Sequence, residues 1–311
     1  MLHTSTLAAV GNLAVLLQAQ GKLGEAELLM KRALKGKEAI LGALHTSTLI
    51  AVGNLAGLLQ DQGKLKEAEP LMLRALEGSE ATLGALHPGT LRCVGNLASL
   101  LQAQGKLKEA EPLMQRALEG REATLGALHP NTLIAVGNLA SLLKAQGKLK
   151  EAEPLYVRSL EGREATLGAL HPSTLIAVGN LAELLKAQGK LKEAEPLMQQ
   201  ALEGSEATLG ALHPSTLTAV DNLAGLLQAQ GKLKEAEPLN RRAWEGRRVA
   251  LGPSHPGTIV TSYNLIDLLK KLGRIDEARE LCESELAMCR DALGEAHEDT
   301  IYFVKQLVGL Q

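Results

Sequence analysis

All eight histidines of this 311-residue chain stand at one spacing. They are His3, His45, His87, His129, His171, His213, His255 and His297, each 42 residues after the last. Asparagine keeps the same step at Asn12, Asn54, Asn96, Asn138, Asn180, Asn222 and Asn264. Between His87–Leu128 and His171–Leu212, 35 of 42 positions are identical. Such a chain is built from copies of one unit, each packing on the next. Seven full units begin near the first seven histidines, and a half unit starts at about Ala296. The expectation is a single repeat array over residues 1–311.

One unit is enough to read local structure. In the fourth, Leu133, Val136, Leu139, Ala140 and Leu143 follow helical spacing and predict a helix ending near Gln146. Gly147-Lys148 reads as a turn. Leu149, Ala152, Leu155, Tyr156 and Leu160 mark a second helix to about Leu167, with Gly168 as its stop. His171-Pro172-Ser173-Thr174 opens the next unit, with proline just inside the helix and Ser173 or Thr174 as the expected cap. Each unit is thus a helical hairpin. One hairpin cannot cover both faces of two helices, whereas stacked hairpins share a continuous core, so an all-α solenoid is predicted. With only 2% aromatic residues, that core must be leucine, alanine, valine, isoleucine and methionine.

Composition removes several function classes. A net charge of −2 gives no reason to expect nucleic acid or an anionic membrane as partner. No apolar run approaches the roughly 18 residues of a membrane-spanning helix, and no signal peptide is visible, so a cytoplasmic protein is expected. Cys93, Cys282 and Cys289 form no CxxC pair, so no metal site is expected from them. The histidines recur about one helix layer, roughly 8–10 Å, apart, too far to share a zinc ion whose ligands sit near 2 Å. They read as loop and helix-start structure. No nucleophile with a base and an orienting acid emerges, so neither an enzyme nor a cofactor is expected.

The segment Asn138-Leu139-Ala140-Ser141-Leu142-Leu143-Lys144-Ala145-Gln146-Gly147-Lys148-Leu149-Lys150-Glu151-Ala152-Glu153 resembles a tetratricopeptide repeat. The period, the His-Pro loop and the string from Arg116 to Gly126 are similar to the repeats of kinesin light chains. That resemblance implies a right-handed superhelix whose first helices line a concave groove for extended peptides of partner proteins. It also implies that the helix-one asparagine touches peptide backbone, a role that maps onto Asn54, Asn96, Asn138, Asn180 and Asn222. Were the chain part of a longer light chain, kinesin heavy chain or cargo would be the partners implied. Family members often carry a second asparagine just before this one; here that place holds glycine, or Asp221 and Tyr263 in later units.

The residues themselves leave two readings of the asparagine ladder. An amide offers both a donor and an acceptor to any peptide main chain. Alternatively, it ties neighbouring helices together. Arg92, Lys144 and Lys186 fall on the same face. The two lysines would favour an acidic residue in a ligand, although a solvated mixed-charge surface is the simpler reading. The Lys-Leu-Lys-Glu-Ala-Glu runs read as the exposed start of helix two, and Pro70, Pro112, Pro154, Pro196 and Pro238 as lying in its first turns. Glycine inside both helices costs about 0.5–1 kcal/mol each and should soften the array. The leading expectation is a peptide-binding scaffold like a kinesin-light-chain cargo adaptor. The alternative is a spacer or self-associating segment of a larger signalling protein.

Overall fold

The computed structural model describes residues 3–310, all-helical apart from short connections. The helices are α1 (Thr4–Ala19), α2 (Leu23–Leu41), α3 (Thr46–Asp61), α4 (Leu65–Leu83), α5 (Pro88–Ala103), α6 (Leu107–Leu125), α7 (Pro130–Ala145) and α8 (Leu149–Leu167). They continue as α9 (Pro172–Ala187), α10 (Leu191–Leu209), α11 (Pro214–Ala229), α12 (Leu233–Leu251), α13 (Pro256–Lys271), α14 (Ile275–Leu293) and α15 (Glu298–Val308). The chain divides into two compact units, residues 1–158 and 159–311, with the division inside α8. In each unit a 16-residue odd-numbered helix pairs with the 19-residue even-numbered helix that follows it, and hairpin stacks on hairpin. α15 stands as the first helix of the half unit.

Local chemistry sets every boundary. Each histidine from His45 onward is itself the cap, its Nδ1 accepting the backbone N–H two residues on: Ser47 on His45 at 3.1 Å, Asn131 on His129 at 3.1 Å, Ser173 on His171 at 3.1 Å. This corrects the expectation that Ser173 or Thr174 performs the capping. The threonine faces inward instead. Thr132 Oγ1 donates to the Gly126 carbonyl at 2.8 Å, and Thr216 does the same to Gly210, stitching a helix start to the preceding helix end. Within a hairpin, Gly147 takes a positive φ of 78°, while its N–H reaches the Lys144 carbonyl and that of Lys148 reaches Leu143. This pair of bonds closes the helix end at a position that only glycine occupies without strain.

The core is aliphatic. In unit 1, Val52, Leu55, Ala56, Leu58 and Leu59 of α3 are buried with Ala68, Met72 and Ala75 of α4, and the pattern recurs in α5 and α6. Gly36, Gly78, Gly120, Gly204 and Gly246, inside α2, α4, α6, α10 and α12, share a packing reason. A Cβ on Gly120 would lie 2.4 Å from Leu91 Cδ2, and one on Gly78 would lie 2.5 Å from Leu49 Cδ2. The helices approach so closely there that the leucine fills the space of a side chain. Towards the C-terminus aromatics enter, with Tyr263 against Tyr302 and Phe303 and the Tyr263 hydroxyl donating to Asp299 at 2.5 Å.

The start of helix two is more than a solvated face. Gln104 Nε2 donates to the Leu65 carbonyl at 3.2 Å and to Glu69 at 2.9 Å, while Lys106 pairs with the same carboxylate at 3.0 Å. Gln146 and Lys148 repeat this on Glu111, and Gln230 and Lys232 on Glu195. Glu69 is held below the usual carboxylate range by the Gln104 bond and then by Lys106. These ties run between successive repeats. The helix-two prolines lie deeper than expected: Pro70 is the sixth residue of α4, past the first turn, on the exposed side. No helix among the described residues is long and apolar enough to cross a membrane.

Candidate binding groove

Residues three and four apart share one helix face. In α3 this rule groups Ile50, Gly53 and Asn54, and in α5 it groups Arg92, Gly95 and Asn96. The structure places these faces on either side of a cavity of about 290 Å³ in unit 1, lined by Ile50, Gly53 and Asn54 from α3 and by Arg92, Cys93 and Asn96 from α5. Ser79 and Leu83 of α4 close its base. Unit 2 repeats the arrangement. Ile176, Gly179 and Asn180 of α9 face Thr218, Ala219 and Asn222 of α11 across a cavity of about 250 Å³, based on Met198, Ala201 and Ser205 of α10.

Three of the expected residues, Asn54, Arg92 and Asn96, therefore meet at one cavity, and Asn180 meets Asn222 at another. Asn138 is exposed on α7, and Lys144, two turns further on, is half-buried. Lys186 is partly engaged. Its ammonium lies 3.4 Å from Glu183, and a Cβ on Gly225 of α11 would come within 3.1 Å of it. Asn54, Asn96, Asn138 and Asn180 are exposed and Asn222 is half-buried. None of these five amides has a side-chain hydrogen bond among the described residues. The glutamines and lysines named above carry the ties between repeats that the second reading assigned to asparagine.

Two features of the groove lie outside the sequence expectations. Isoleucine stands exposed one turn before the asparagine, Ile50 at 39%, Ile134 at 46% and Ile176 at 50%, adding apolar surface to the amide row. The second is a column on the even-numbered helices, read at the repeat step: Lys37, Ser79, Arg121, Arg163, Ser205, Arg247. Both cavities sit over a serine of this column. Where the column holds arginine, the guanidinium reaches up between two odd-numbered helices. Arg121 Nη1 donates to the Asn131 carbonyl at 3.4 Å, and Arg247 Nη1 donates to the Gly257 carbonyl at 3.1 Å. Comparing the repeats column by column would have found both features, because they are the variable positions beside an invariant frame.

Arg247 also pairs with Asp221 at 2.7 Å, both side chains nearly out of solvent. Asp221 Oδ1 is buried without a hydrogen-bond partner, and burial pushes this carboxyl up to about 6 despite the neighbouring guanidinium. Burial likewise lowers Arg121, for which no opposing charge contributes.

Similarity to known proteins follows the same repeat. The tetratricopeptide repeat profile matches residues 47–123, 94–165, 131–207, 172–248 and 215–291, and a second profile of that description matches residues 6–46. The nearly identical tetratricopeptide-like repeats of a candidate kinesin light chain from Podosopora anserina share 30% identity with this chain. The match covers 67% of this chain and 98% of that one, with a TM-score of 0.57. BtubC (BKLC) from P. vanneervenii shares the fold at 22% identity, covering 75% and 94% with a TM-score of 0.63. A tetratricopeptide repeat protein from Parabacteroides merdae does so at 18% identity, covering 98% of each chain with a TM-score of 0.61. No curated protein sequence matches.

Proposed function

The chain belongs to the tetratricopeptide repeat family, and we propose that it captures extended peptide segments of partner proteins along the asparagine-lined faces of its odd-numbered helices. The observation that carries this reading is the set of unpaired amides beside the two cavities. Side-chain amides held in solvent at a repeat step, with their hydrogen-bonding capacity unspent, suit a ligand main chain that presents donors and acceptors periodically. Exposed Ile50, Ile134 and Ile176 supply apolar contact next to them. Asn54, Asn96, Asn138, Asn180 and Asn222 would hold the backbone, with Arg92, Lys144 and Lys186 adjusting the choice of side chains.

The likeness to kinesin-light-chain repeats supports a cytoplasmic adaptor that joins cargo peptides to a larger assembly. We further propose that all seven hairpins and the half unit act as one array over residues 1–311. The chain's work is then binding, with no reaction of its own.

The test uses peptides selected on the full chain, resynthesised and measured by fluorescence polarisation. Asn54→Ala with Asn96→Ala, and Asn180→Ala with Asn222→Ala, should weaken binding by about tenfold or more per pair at unchanged helical ellipticity, since each lost hydrogen bond is worth about 0.5–1.5 kcal/mol. Unaltered affinity in both pairs would overturn the groove and leave the spacer reading.

A further inference from the structure

We propose that Glu285 is a proton-controlled latch that holds the end of the array, α14 and α15, against α12 and α13.

The argument comes from comparing the chain with itself. Glu285 stands where earlier repeats carry Ala33, Ala75, Ala117, Ser159, Ala201 and Ala243. Three further positions depart from their columns in the same layer. Ser262 takes a place held by valine in every repeat before it, Trp244 one held by leucine, and Arg248 one held by glutamate. All four meet at the Glu285 carboxyl, since Arg248, Ser262 and Trp244 are the polar groups that bear on its charge. Departures that converge from three helices on one buried point form a built feature, absent from the rest of the array.

The Glu285 side chain is fully buried, and neither carboxyl oxygen has a hydrogen-bond partner among the described residues. Ser262 Oγ is spent on the Ile259 carbonyl at 2.7 Å, and the Arg248 guanidinium lies over the Trp244 ring, 4.8 Å from its centroid. Trp244 Nε1 is itself buried with no partner. Burial therefore pushes the Glu285 carboxyl up, with Arg248 the largest opposing influence. The other titratable groups of the layer supply no compensating cation. On α14, Cys282 and Cys289 are thiols pushed up to about 11 by burial, and Glu283 is exposed. On α13, Tyr263 donates to Asp299 of α15, and Lys270 donates to Gln306 of α15.

A proton on Glu285 lets the layer close over a neutral group. Loss of that proton leaves a buried charge without a partner, which is relieved when α14 withdraws and admits water or Arg248. α15 goes with α14, because Cys282 Sγ donates to the Phe303 carbonyl at 3.4 Å and Arg279 to the Leu310 carbonyl at 2.7 Å. The closed layer holds the proton more tightly than the open one. Closure is thus strongest at low pH, and weakens as pH rises from the value of an exposed glutamate, about 4.3, to the midpoint of the buried one.

Trp244 is the only tryptophan of the chain and reports directly on this carboxyl. The experiment titrates the full chain from acid to mildly alkaline pH while following its emission. The wild type should change in one step, with a midpoint above that of an exposed glutamate. The step should vanish in Glu285→Gln and in Glu285→Ala, the second of which copies the residue at 201 and 243 and suits the fold. Arg248→Gln should move the midpoint upward, because the cation favouring the charged form is gone. Hydrogen exchange read by mass spectrometry supplies the mechanical half. Opening of α14 and α15, corrected for the intrinsic exchange rate, should rise by up to about tenfold per pH unit below that midpoint and level off above it. In the Glu285 variants it should not rise. Asp221 is present in every variant, so its own titration cancels. An emission step that survives in both Glu285 variants, a midpoint no higher than that of an exposed glutamate, or exchange in α14 and α15 indifferent to Glu285 would each overturn the latch.

Discussion

The cap histidine shows how one side chain can be fixed by backbone need alone. Its Nδ1 takes an orphan N–H of the first helical turn, a task usually given to serine, threonine or aspartate. His87→Ala should destabilise the chain by about 0.5–2 kcal/mol in urea unfolding, and His87→Asn should restore most of the loss. Equal stability of the alanine and asparagine variants would refute the capping role. Asp221 makes the opposite kind of statement. Its carboxyl sits near 6 in the folded chain, above the value of about 3.9 for an unfolded aspartate. The folded state therefore takes up a proton first as pH falls from 7 towards 4, and gains stability in that window. Relative to Asp221→Asn, the wild type should gain about 1–3 kcal/mol between pH 7.5 and pH 4.5, histidine effects being common to both. A difference that stays flat, or reverses, would show that the pair with Arg247 outweighs burial.

Among the helices, glycine acts according to which neighbour it meets. Intrinsic propensity makes every mid-helix glycine a cost, about 1 kcal/mol relative to alanine. Gly120 repays it by admitting Leu91, which would collide with any Cβ, whereas Gly53 meets nothing within 4 Å. The same change should thus have opposite signs. Gly120→Ala is expected to lower stability by about 1–3 kcal/mol through overpacking, and Gly53→Ala to leave it equal or raise it by up to about 1 kcal/mol. Thermal melts of the two variants check this, and matching shifts would remove the packing explanation. The periodic glycines of the even-numbered helices are accordingly sites of close helix contact. Gly53 and Gly179 of the odd-numbered helices have no such neighbour within 4 Å.

For the molecule, the repeat step is the unit of stability. Hairpins touch their neighbours through like residues, Glu69 to Gln104 and Lys106, then Glu111 to Gln146 and Lys148. Removing residues 87–128 joins like to like, so the shortened chain should keep its ellipticity per residue and unfold cooperatively. Removing half as many, 87–107, sets a second helix where a first belongs and should leave a poorly folded product. If both deletions behave alike in circular dichroism and urea titration, the repeats do not stack as interchangeable layers.

The sequence by itself determined the helical hairpin, its boundaries to within a residue or two, the aliphatic core and an asparagine at one position of the first helices. These depend on periodicity, and a 42-residue period states every local choice several times over. It left undecided which polar residues join the repeats and which make no side-chain hydrogen bond among the described residues. Gln104, Gln146 and Asn96 are all amides on a first helix or at its end, and only their positions in space separate a tie from an open donor. The inward turn of the threonine, the leucine nested on Gly120 and the pairing of Arg247 with Asp221 were likewise decided by tertiary structure. Each depends on the distance between side chains from different helices, and no spacing along a single strand of sequence encodes that distance.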